Sequence, residues 1–519
     1  MTTSPNPITV GVGPVAPADV VAVARGGAPV QLTSEALAAI DAGRITIDAL
    51  AEDVRPHYGV STGFGALAGR HIPRERRTQL QRSLIRSHAA GSGDEVEPEV
   101  VRALMLLRLS TMATGHTGVR RGTAEAYAAM LCAGLTPVIY EFGSLGCSGD
   151  LAPLAHCALA LMGEGDVRDA DGALLPSDEA LAGAGITPVE LAEKEGLALI
   201  NGTDGMLGML VLALADLDVL LTTADITAAL SVEGLLGTDA VFAEDLQRLR
   251  PQSGQCASAA NMRAVLAGSP IVASHRGPED PRVQDAYSLR CAPAVAGGAR
   301  DTVAHAAAVA ERELAAAIDN PVIVGGGDEV RVASNGNFHG APLGYVLDFL
   351  AIVAADVASI AERRTDRFLD PARSHGLPAF LADDPGVDSG LMIAQYTQAS
   401  IVSELKRLAV PASVDSIPSS AMQEDHVSMG WSAARKLRRS VDGLARVLAV
   451  ELMAAARGVE LRAPVQPGPA TGAVIAALRR AVGGPGPDRF LAPDIEAAYA
   501  LVRSGEVVAA AEAVTGPLH

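Results

Sequence analysis

Apolar residues that recur every three or four positions run through most of the chain, and this spacing constrains its fold more than any other feature. Such spacing places apolar side chains on one face of an α-helix. It is found, for example, at residues 100–112, 207–236, 299–317, 343–361, 400–408, 428–456 and 495–513. Alternation of apolar and polar residues, which is typical of strands, occurs in short segments such as 8–12 and 329–332. The pattern predicts a mainly α protein.

Several of the expected helices are apolar around much of their circumference, so other helices must cover them on more than one side. We therefore expect an elongated central helical bundle, and subunits that pack against one another. Loops rich in Gly, Pro, Ser and Asp are denser up to about residue 225. This predicts a smaller, mixed N-terminal domain at residues 1–225 and a helical bundle domain at residues 226–519.

The charge balance argues against nucleic acid as a partner. The 519-residue chain carries 60 acidic and 41 basic residues, a formal net charge of −19, and its basic residues are scattered. No stripe of positive charge is available to follow a phosphate backbone. We expect no nucleic-acid partner.

The longest apolar stretches, 207–236 and 341–360, are interrupted by aspartates, so we expect buried helices and no membrane partner. The N-terminus lacks the basic and apolar segments of a secretory signal. Five cysteines show neither a dense disulfide framework nor paired metal-ligand spacing. We expect a cytoplasmic protein without a metal site.

The tripeptide Cys147-Ser148-Gly149 is the segment with the most unusual chemistry. Gly149 has no Cβ and can enter a tight turn in which its amide nitrogen attacks the carbonyl carbon of Cys147. Loss of two waters, one of them from the Ser148 hydroxyl, would leave a five-membered ring with an exocyclic methylidene, which is a carbon electrophile. The alternative is a structural glycine-rich turn.

The neighbouring residues favour the electrophile. The chain contains, in this order, YGVSTGFG (58–65), SHAAG (87–91), GSLGCSGDLAPLAH (143–156), INGT (200–203), QDAYSLR (284–290), NGNFHG (335–340) and QEDHVS (423–428). From about residue 10 to the C-terminus it thereby resembles the histidine ammonia-lyases, members of the aromatic amino-acid lyase and aminomutase family. The resemblance implies a methylidene-imidazolone group made autocatalytically from Cys147, Ser148 and Gly149, with no external cofactor.

Three departures accompany this resemblance. The family more often has Ala where this chain has Cys147, but only the backbone carbonyl of that residue enters the ring. Ser61 stands where many relatives have Asn, and Ala292 and Ala294 stand where many have Gln.

Elimination of ammonia from an amino acid removes a scarcely acidic β-proton and expels a poor leaving group, so it needs a strong electrophile. Pyridoxal phosphate, the other common electrophile, requires a Schiff-base lysine. The chain has three lysines. Lys406 and Lys436 lie in Arg-rich stretches that indicate solvated helix faces, and Lys194 lies at an acidic helix end, so none fits this role.

Tyr58 is the candidate base for the β-proton, which would require a lowered phenol pKa; the alternative is a core tyrosine. By resemblance, Arg290 binds the substrate α-carboxylate with help from Asn201, and the alternative for Arg290 is a surface ion pair. The resemblance also places Tyr287 among the catalytic residues and Gln284 and Phe338 around the substrate, although each taken alone could serve packing.

Two polar positions indicate the substrate. Ser87-His88 resembles the pair of histidine-specific members, and Glu424 offers a carboxylate to an imidazole N–H. A phenyl ring would leave such a carboxylate unpaired at a cost of about 1 to 3 kcal/mol. The alternatives for residues 424–426 are a solvated loop and a metal site, and no second group has matching ligand spacing.

The resemblance therefore implies an enzyme that converts L-histidine to trans-urocanate and ammonia, the first step of histidine degradation. It also implies a homotetramer with sites built from loops of neighbouring chains. Three alternatives stay open: a tyrosine or phenylalanine lyase or aminomutase, an inactive helical scaffold, and an enzyme of the fumarase and aspartase type. The last rests on residues 418–422, which Gln423 and Glu424 follow in place of the expected Pro and Lys.

Overall fold

The computed structural model describes residues 6–277, 283–325 and 329–519. It confirms a mainly α protein, with 59% of the chain helical and 7% in strands. The α-helices are α1 (Pro17–Gly26), α2 (Ser34–Glu52), α3 (Arg77–His88), α4 (Pro98–Ala113), α5 (Arg121–Cys132), α6 (Leu151–Leu161), α7 (Ser177–Gly183), α8 (Glu195–Ile200), α9 (Asp204–Gly234), α10 (Glu244–Arg248), α11 (Ser253–Leu266), α12 (Pro270–Ala273), α13 (Tyr287–Arg290), α14 (Ala292–Leu314), α15 (Ala341–Leu369), α16 (Met392–Leu408), α17 (Gly430–Glu460), α18 (Pro469–Arg479), α19 (Ala492–Ser504) and α20 (Glu506–Thr515).

Local sequence explains several of the helix ends. The Thr33 side chain accepts a hydrogen bond from the amide of Ala36 and so caps the start of α2. The single helix predicted at 495–513 is wrong in one respect, because Gly505 adopts φ 79° and separates α19 from α20. Side chains with a Cβ rarely adopt this left-handed conformation, so the glycine ends the first helix.

The described strands are short and pair locally. They are β1 (Ile8–Val10), β2 (Val30–Leu32), β3 (Ser92–Glu95), β4 (Thr136–Pro137), β5 (Tyr140–Phe142), β6 (Asp166–Arg168), β7 (Leu174–Pro176), β8 (Val322–Val324) and β9 (Arg331–Ala333). β1 pairs with β2 in parallel, and β3–β5, β4–β6–β7 and β8–β9 are antiparallel. The strand segments predicted at 8–12 and 329–332 correspond to β1 and β9.

The chain forms two compact units, each assembled from three segments. The first unit contains residues 1–212, 307–347 and 411–435, and the second contains 213–306, 348–410 and 436–519. Residue 225 lies inside α9, so the boundary near residue 225 stays a prediction.

Each unit has its own buried core. In the first, α4 is buried from Val100 to Ala113 apart from one partly exposed residue, and its Arg108 is fully buried and pairs with Asp204. In the second, Glu451 of α17 is fully buried and accepts hydrogen bonds from Thr227 and Ser231. These two charged groups are thus paired inside their units, as burial of a charge requires.

Among the residues that the structure describes, two helices are long and apolar enough to cross a membrane by length and composition alone. They are α9 and α15, each with a stretch of mean hydropathy 1.9. Within the protein, 78% of that stretch in α9 and 61% in α15 is buried, a degree of burial that core helices also show.

Candidate active site

The loop that follows α2 carries Tyr58 and is fixed to the core of the first unit. Val60 is fully buried and packs in a cluster with Ile323. Gly59 adopts φ 76°, and a Cβ at this position would lie 2.8 Å from Leu197 Cδ1. Only glycine fits there without displacing a neighbour, so the backbone beside Tyr58 is closely packed.

The Cys147-Ser148-Gly149 loop precedes α6 and lies against the INGT loop. Gly149 adopts φ 74°, and a Cβ on it would lie 2.0 Å from the carbonyl oxygen of Gly202. The amide of Asp150 donates a hydrogen bond to the same oxygen at 2.7 Å. The two loops therefore meet backbone to backbone, and Gly149 adopts a left-handed conformation that residues with a Cβ rarely adopt.

Beneath this junction, Arg108 holds the INGT loop. A Cβ on Gly202 would lie 1.8 Å from an Arg108 guanidinium nitrogen. The guanidinium donates to the carbonyl oxygen of Asn201 at 3.1 Å. The Asn201 side chain is 4% exposed, and its Oδ1 has no hydrogen-bond partner among the described residues. A buried acceptor without a partner favours a ligand donor at this point.

Asp150 is a site residue that the sequence analysis did not single out. It is fully buried, accepts hydrogen bonds from the amides of Gly205 and Met206 at 2.9 Å, and receives the Ser144 hydroxyl at 3.0 Å. Burial raises the pKa of its carboxyl to about 7. The side chain ties the residue after Gly149 to the start of α9, where amides are free to donate.

Glu424 contacts the tripeptide directly. Its Oε1 accepts a hydrogen bond from the Ser148 hydroxyl at 3.1 Å, and its Oε2 accepts from the Cys147 thiol at 3.2 Å and from Ser419 Oγ at 2.9 Å. Burial and the charge of Glu424 raise the pKa of Cys147 to about 12. The thiol is therefore neutral near pH 7 and acts as a donor.

Glu424, Cys147 and Ser148 face a cavity of about 370 Å³ in the first unit, and Gly149 and Asn201 are not among the residues that line it. Five predicted site residues line it, namely Tyr58, Cys147, Ser148, Phe338 and Glu424. The lining residues to which the sequence analysis gave no role are Gly65, Ala68, Asn320, Ser334, His339, Gln423, Asp425 and His426. Most of these lie in the sequence motifs that also contain the predicted site residues. Their closeness in sequence to those residues could have indicated that they line the cavity.

The phenol of Tyr58 is not activated in the way that the sequence analysis required. Its oxygen accepts a hydrogen bond from the Gly65 amide at 3.4 Å. Burial raises the pKa of Tyr58 above its ordinary value of 10.0, and the negative charges of Glu424 and Asp319 raise it further. The expectation of a lowered pKa is wrong, because burial disfavours the charged phenolate and the nearby charges are carboxylates.

His88 is the last residue of α3 and lies within electrostatic reach of Glu424, although it is not among the residues that line the cavity. Its Nδ1 lies 2.9 Å from the carbonyl oxygen of Leu84, which can only accept, so Nδ1 carries the proton. Burial lowers the pKa of His88 below 6.5. The ring is neutral near pH 7, with Nε2 as its acceptor.

Gln284, Tyr287 and Arg290 lie in the second unit and do not line this cavity. Tyr287 is 70% exposed. The guanidinium carbon of Arg290 lies 4.7 Å from the centre of the Tyr287 ring, and Arg290 Nε is buried without a hydrogen-bond partner in the described part of the chain. The cation–π contact joins two of the predicted residues.

Lys194 differs from its interpretation as part of an acidic helix end. It is fully buried and pairs with the fully buried Asp319 at 2.5 Å. The pairing occupies the amine, in keeping with its exclusion as a Schiff-base lysine. Within residues 6–277, 283–325 and 329–519, no group of three or more His, Cys, Asp or Glu side chains could hold a metal ion.

The profile of the family described as "Aromatic amino acid lyase" matches residues 15–480. The chain belongs to the aromatic amino acid lyase family. The match confirms the resemblance and favours this family over the fumarase and aspartase type.

Relatives of this lyase-family chain cover nearly its whole length. A histidine ammonia-lyase of Streptomyces avermitilis is 68% identical over 512 residues, 98% of this chain and 99% of that protein. The structure of tyrosine aminomutase from Streptomyces globisporus has a TM-score of 0.93 at 37% identity and covers 99% of this chain and 100% of its own. The structure of histidine ammonia-lyase from Trypanosoma cruzi has a TM-score of 0.89 at 36% identity. That alignment covers 98% of this chain and 95% of the other.

Proposed function

We propose that this chain is a carbon–nitrogen lyase that converts L-histidine to trans-urocanate and ammonia. The observation that carries the proposal is the Glu424 carboxylate, which lies in the cavity 3.1 Å from the Ser148 hydroxyl. A carboxylate in this place accepts a hydrogen bond from the N–H of an imidazole ring. A phenyl ring has no donor and would leave the carboxylate without a partner. The 68% identity to a protein named histidine ammonia-lyase supports the same substrate.

We propose that Cys147, Ser148 and Gly149 form a methylidene-imidazolone group. The residues fit this group because the turn at Gly149 excludes a Cβ, which would lie 2.0 Å from Gly202 O, and because the Ser148 hydroxyl lines the cavity. The group would supply an electrophile that makes the substrate amine a better leaving group.

The remaining roles fall to side chains of this chain and of a neighbouring copy in a homo-oligomer. The neighbouring copy supplies Arg290, whose planar guanidinium holds the α-carboxylate, together with Gln284 and the catalytic Tyr287. The Asn201 Oδ1 accepts a hydrogen bond from the substrate, and Phe338 packs around it.

At the ring end of the substrate, Glu424 accepts the imidazole N–H. The charge of Glu424 acts electrostatically on His88, whose ring is neutral near pH 7. A polar environment at this end favours histidine over phenylalanine or tyrosine.

The intact mass of the purified chain tests the group. It should be lower than the sequence mass by two water molecules, and borohydride or cyanide should inactivate the enzyme by adding to the electrophile. An unchanged mass together with indifference to both reagents would favour the inactive scaffold.

The tyrosine and phenylalanine lyases and the aminomutases remain the alternatives within the family. The fold alone does not separate them, since an aminomutase and an ammonia-lyase align at nearly equal identity, 37% and 36%. Assays with histidine, tyrosine and phenylalanine, with products identified by mass, distinguish elimination from migration of the amine. Formation of urocanate from histidine in preference to the other products is the expected result.

Tyr58→Phe should lower kcat by about 10²- to 10⁴-fold, the usual contribution of a positioned base, with a smaller change in KM. Because the pKa of Tyr58 is raised, only a small fraction is ionised near pH 7, so wild-type kcat/KM should rise with pH and the variant should lose this rise. Tyr396→Phe, at a position 61% exposed, is the control. A variant in which KM alone increases would make Tyr58 a binding residue.

Arg290→Lys should lower kcat/KM for histidine by about tenfold to a hundredfold, as expected for a weakened hydrogen bond to a charged group. Lysine keeps the charge but loses the bidentate geometry. Arg248→Lys, at an exposed ion pair with Glu244, is the matched control. Steady-state kinetics equal to wild type would remove Arg290 from the site.

We further propose a cytoplasmic homotetramer. Three exposed apolar side chains of α15, Tyr345, Phe349 and Ile352, are spaced four and three residues apart and share one helix face. The exposure of Tyr287, proposed as catalytic, supports a site completed by a neighbouring chain. Light scattering on the purified protein measures the assembly, and a monomeric active enzyme would contradict it.

A further inference from the structure

The two carboxylate oxygens of Glu424 accept hydrogen bonds from different residues. Oε2 receives the hydroxyl of Ser419 at 2.9 Å and the thiol of Cys147 at 3.2 Å. Oε1 receives the hydroxyl of Ser148 at 3.1 Å. The backbones of Ser419 and Glu424 are also joined, by N–H to oxygen bonds of 2.9 Å and 3.3 Å in the two directions. Two backbone hydrogen bonds between Ser419 and Glu424 therefore close the turn that contains residues 419–424.

Formation of the proposed prosthetic group changes one of these partners and spares the other two. Ring closure joins Gly149 N to the carbonyl carbon of Cys147, and the first water takes that carbonyl oxygen together with one proton from Gly149 N and one from Ser148 N. The second water takes Ser148 Oγ and the Ser148 Cα proton as the Cα=Cβ bond forms. The Cys147 thiol and the Ser419 hydroxyl take part in neither dehydration.

Maturation thus removes the donor from Oε1 and leaves both donors on Oε2. A carboxylate anchored through one oxygen has a fixed plane and presents the other oxygen in a defined direction. Here the presented oxygen is next to the position where the electrophile forms.

We propose that Ser419 and Cys147 are positioning residues that anchor Glu424 through Oε2, so that Oε1 is free to receive the imidazole N–H of the substrate. This inference rests on the proposed function. It assigns a role to the Cys147 thiol, which takes part in neither dehydration. The thiol is suited to it because it stays protonated and lies 7% exposed, directly against the carboxylate.

Two product-like acids test the anchor separately from catalysis. trans-Urocanate carries an imidazole N–H, whereas trans-cinnamate has the same acrylate chain and no ring donor. Ser419→Ala should raise the inhibition constant of urocanate by about tenfold and leave that of cinnamate unchanged, since it removes one hydrogen bond to a charged group. Cys147→Ala should raise it by about threefold, because S–H is a weaker donor.

Conservative variants distinguish anchoring from a general effect on the loop. Ser419→Thr and Cys147→Ser retain a donor and should keep the wild-type ratio of the two inhibition constants. Ser420→Ala is the matched control, since it removes a hydroxyl one residue along the same turn, at a position that does not line the cavity. The double variant Ser419→Ala/Cys147→Ala should lose more than the product of the single effects, since either donor alone can hold Oε2.

The intact mass of every variant is measured alongside, and it should show the loss of two waters throughout. Equal weakening of urocanate and cinnamate by Ser419→Ala would make Ser419 a structural brace and overturn the inference. Unchanged inhibition by both acids in Ser419→Ala would also overturn the inference. A wild-type chain that lacks the mass loss would instead overturn the proposed function on which the inference rests.

Discussion

Replacing Ser148 with alanine is expected to abolish turnover of histidine, with a loss of about 10³-fold or more, as is typical when a residue that forms a covalent intermediate is removed. Alanine has no β-hydroxyl to lose, so the methylidene cannot form. The fold should survive, because the Ser148 hydroxyl contacts Glu424 and contributes little to the core. Kinetics, circular dichroism and intact mass together check this result.

Cys147→Ala is the matched control for Ser148→Ala. It alters the neighbouring side chain but keeps the backbone carbonyl that enters the ring, so the mass should still be lower by two waters. Turnover by Ser148→Ala at the wild-type rate would refute the mechanism as a whole, whatever the behaviour of the control.

Replacing Glu424 with alanine should lower kcat/KM for histidine by about 10²-fold, since a hydrogen bond to a charged group contributes up to about 3 kcal/mol. The carboxylate lies in the cavity and faces the tripeptide, so its loss leaves the imidazole N–H without an acceptor. Glu424→Gln keeps an acceptor oxygen but loses the charge. Its kcat/KM for histidine should lie between the values of the wild type and of Glu424→Ala. Asp415→Asn, on an exposed position of the same segment, should behave as wild type.

Selectivity gives a sharper test than rate. Replacement of both His88 and Glu424 by apolar residues should raise the ratio of kcat/KM for phenylalanine to that for histidine, since the polar groups that reject a phenyl ring are gone. Some loss of absolute rate is expected with both substrates. A ratio equal to that of wild type would show that selectivity is determined at other positions.

The helices could be predicted because their apolar periodicity is long and regular. The segments predicted at 100–112 and 343–361 lie inside α4 and α15. The division at Gly505 was missed because one glycine does not interrupt the apolar pattern of its neighbours. The two units were not predictable from chain position, since each gathers three segments that are distant in sequence.

Within the candidate site, the motifs identified the residues but not their electrostatics. The pKa of Tyr58 depends on its burial and on Glu424 and Asp319, which are remote in sequence. The same limit applies to Lys194, whose partner lies 125 residues away. Ser419 was given no role in this site because residues 418–422 were interpreted only as the basis of the fumarase and aspartase alternative.

The backbone junction of Gly149 with Gly202 has a consequence for recombination between relatives. A Cβ at either position would collide, with Gly202 O at 2.0 Å in one case and with the Arg108 guanidinium at 1.8 Å in the other. Residues 143–156, residues 200–203 and Arg108 must therefore come from the same parent for these close contacts to be preserved. Chimeras with a crossover between these segments should yield inactive enzymes more often when the parents differ in this contact, whereas crossovers in the second unit leave these contacts intact.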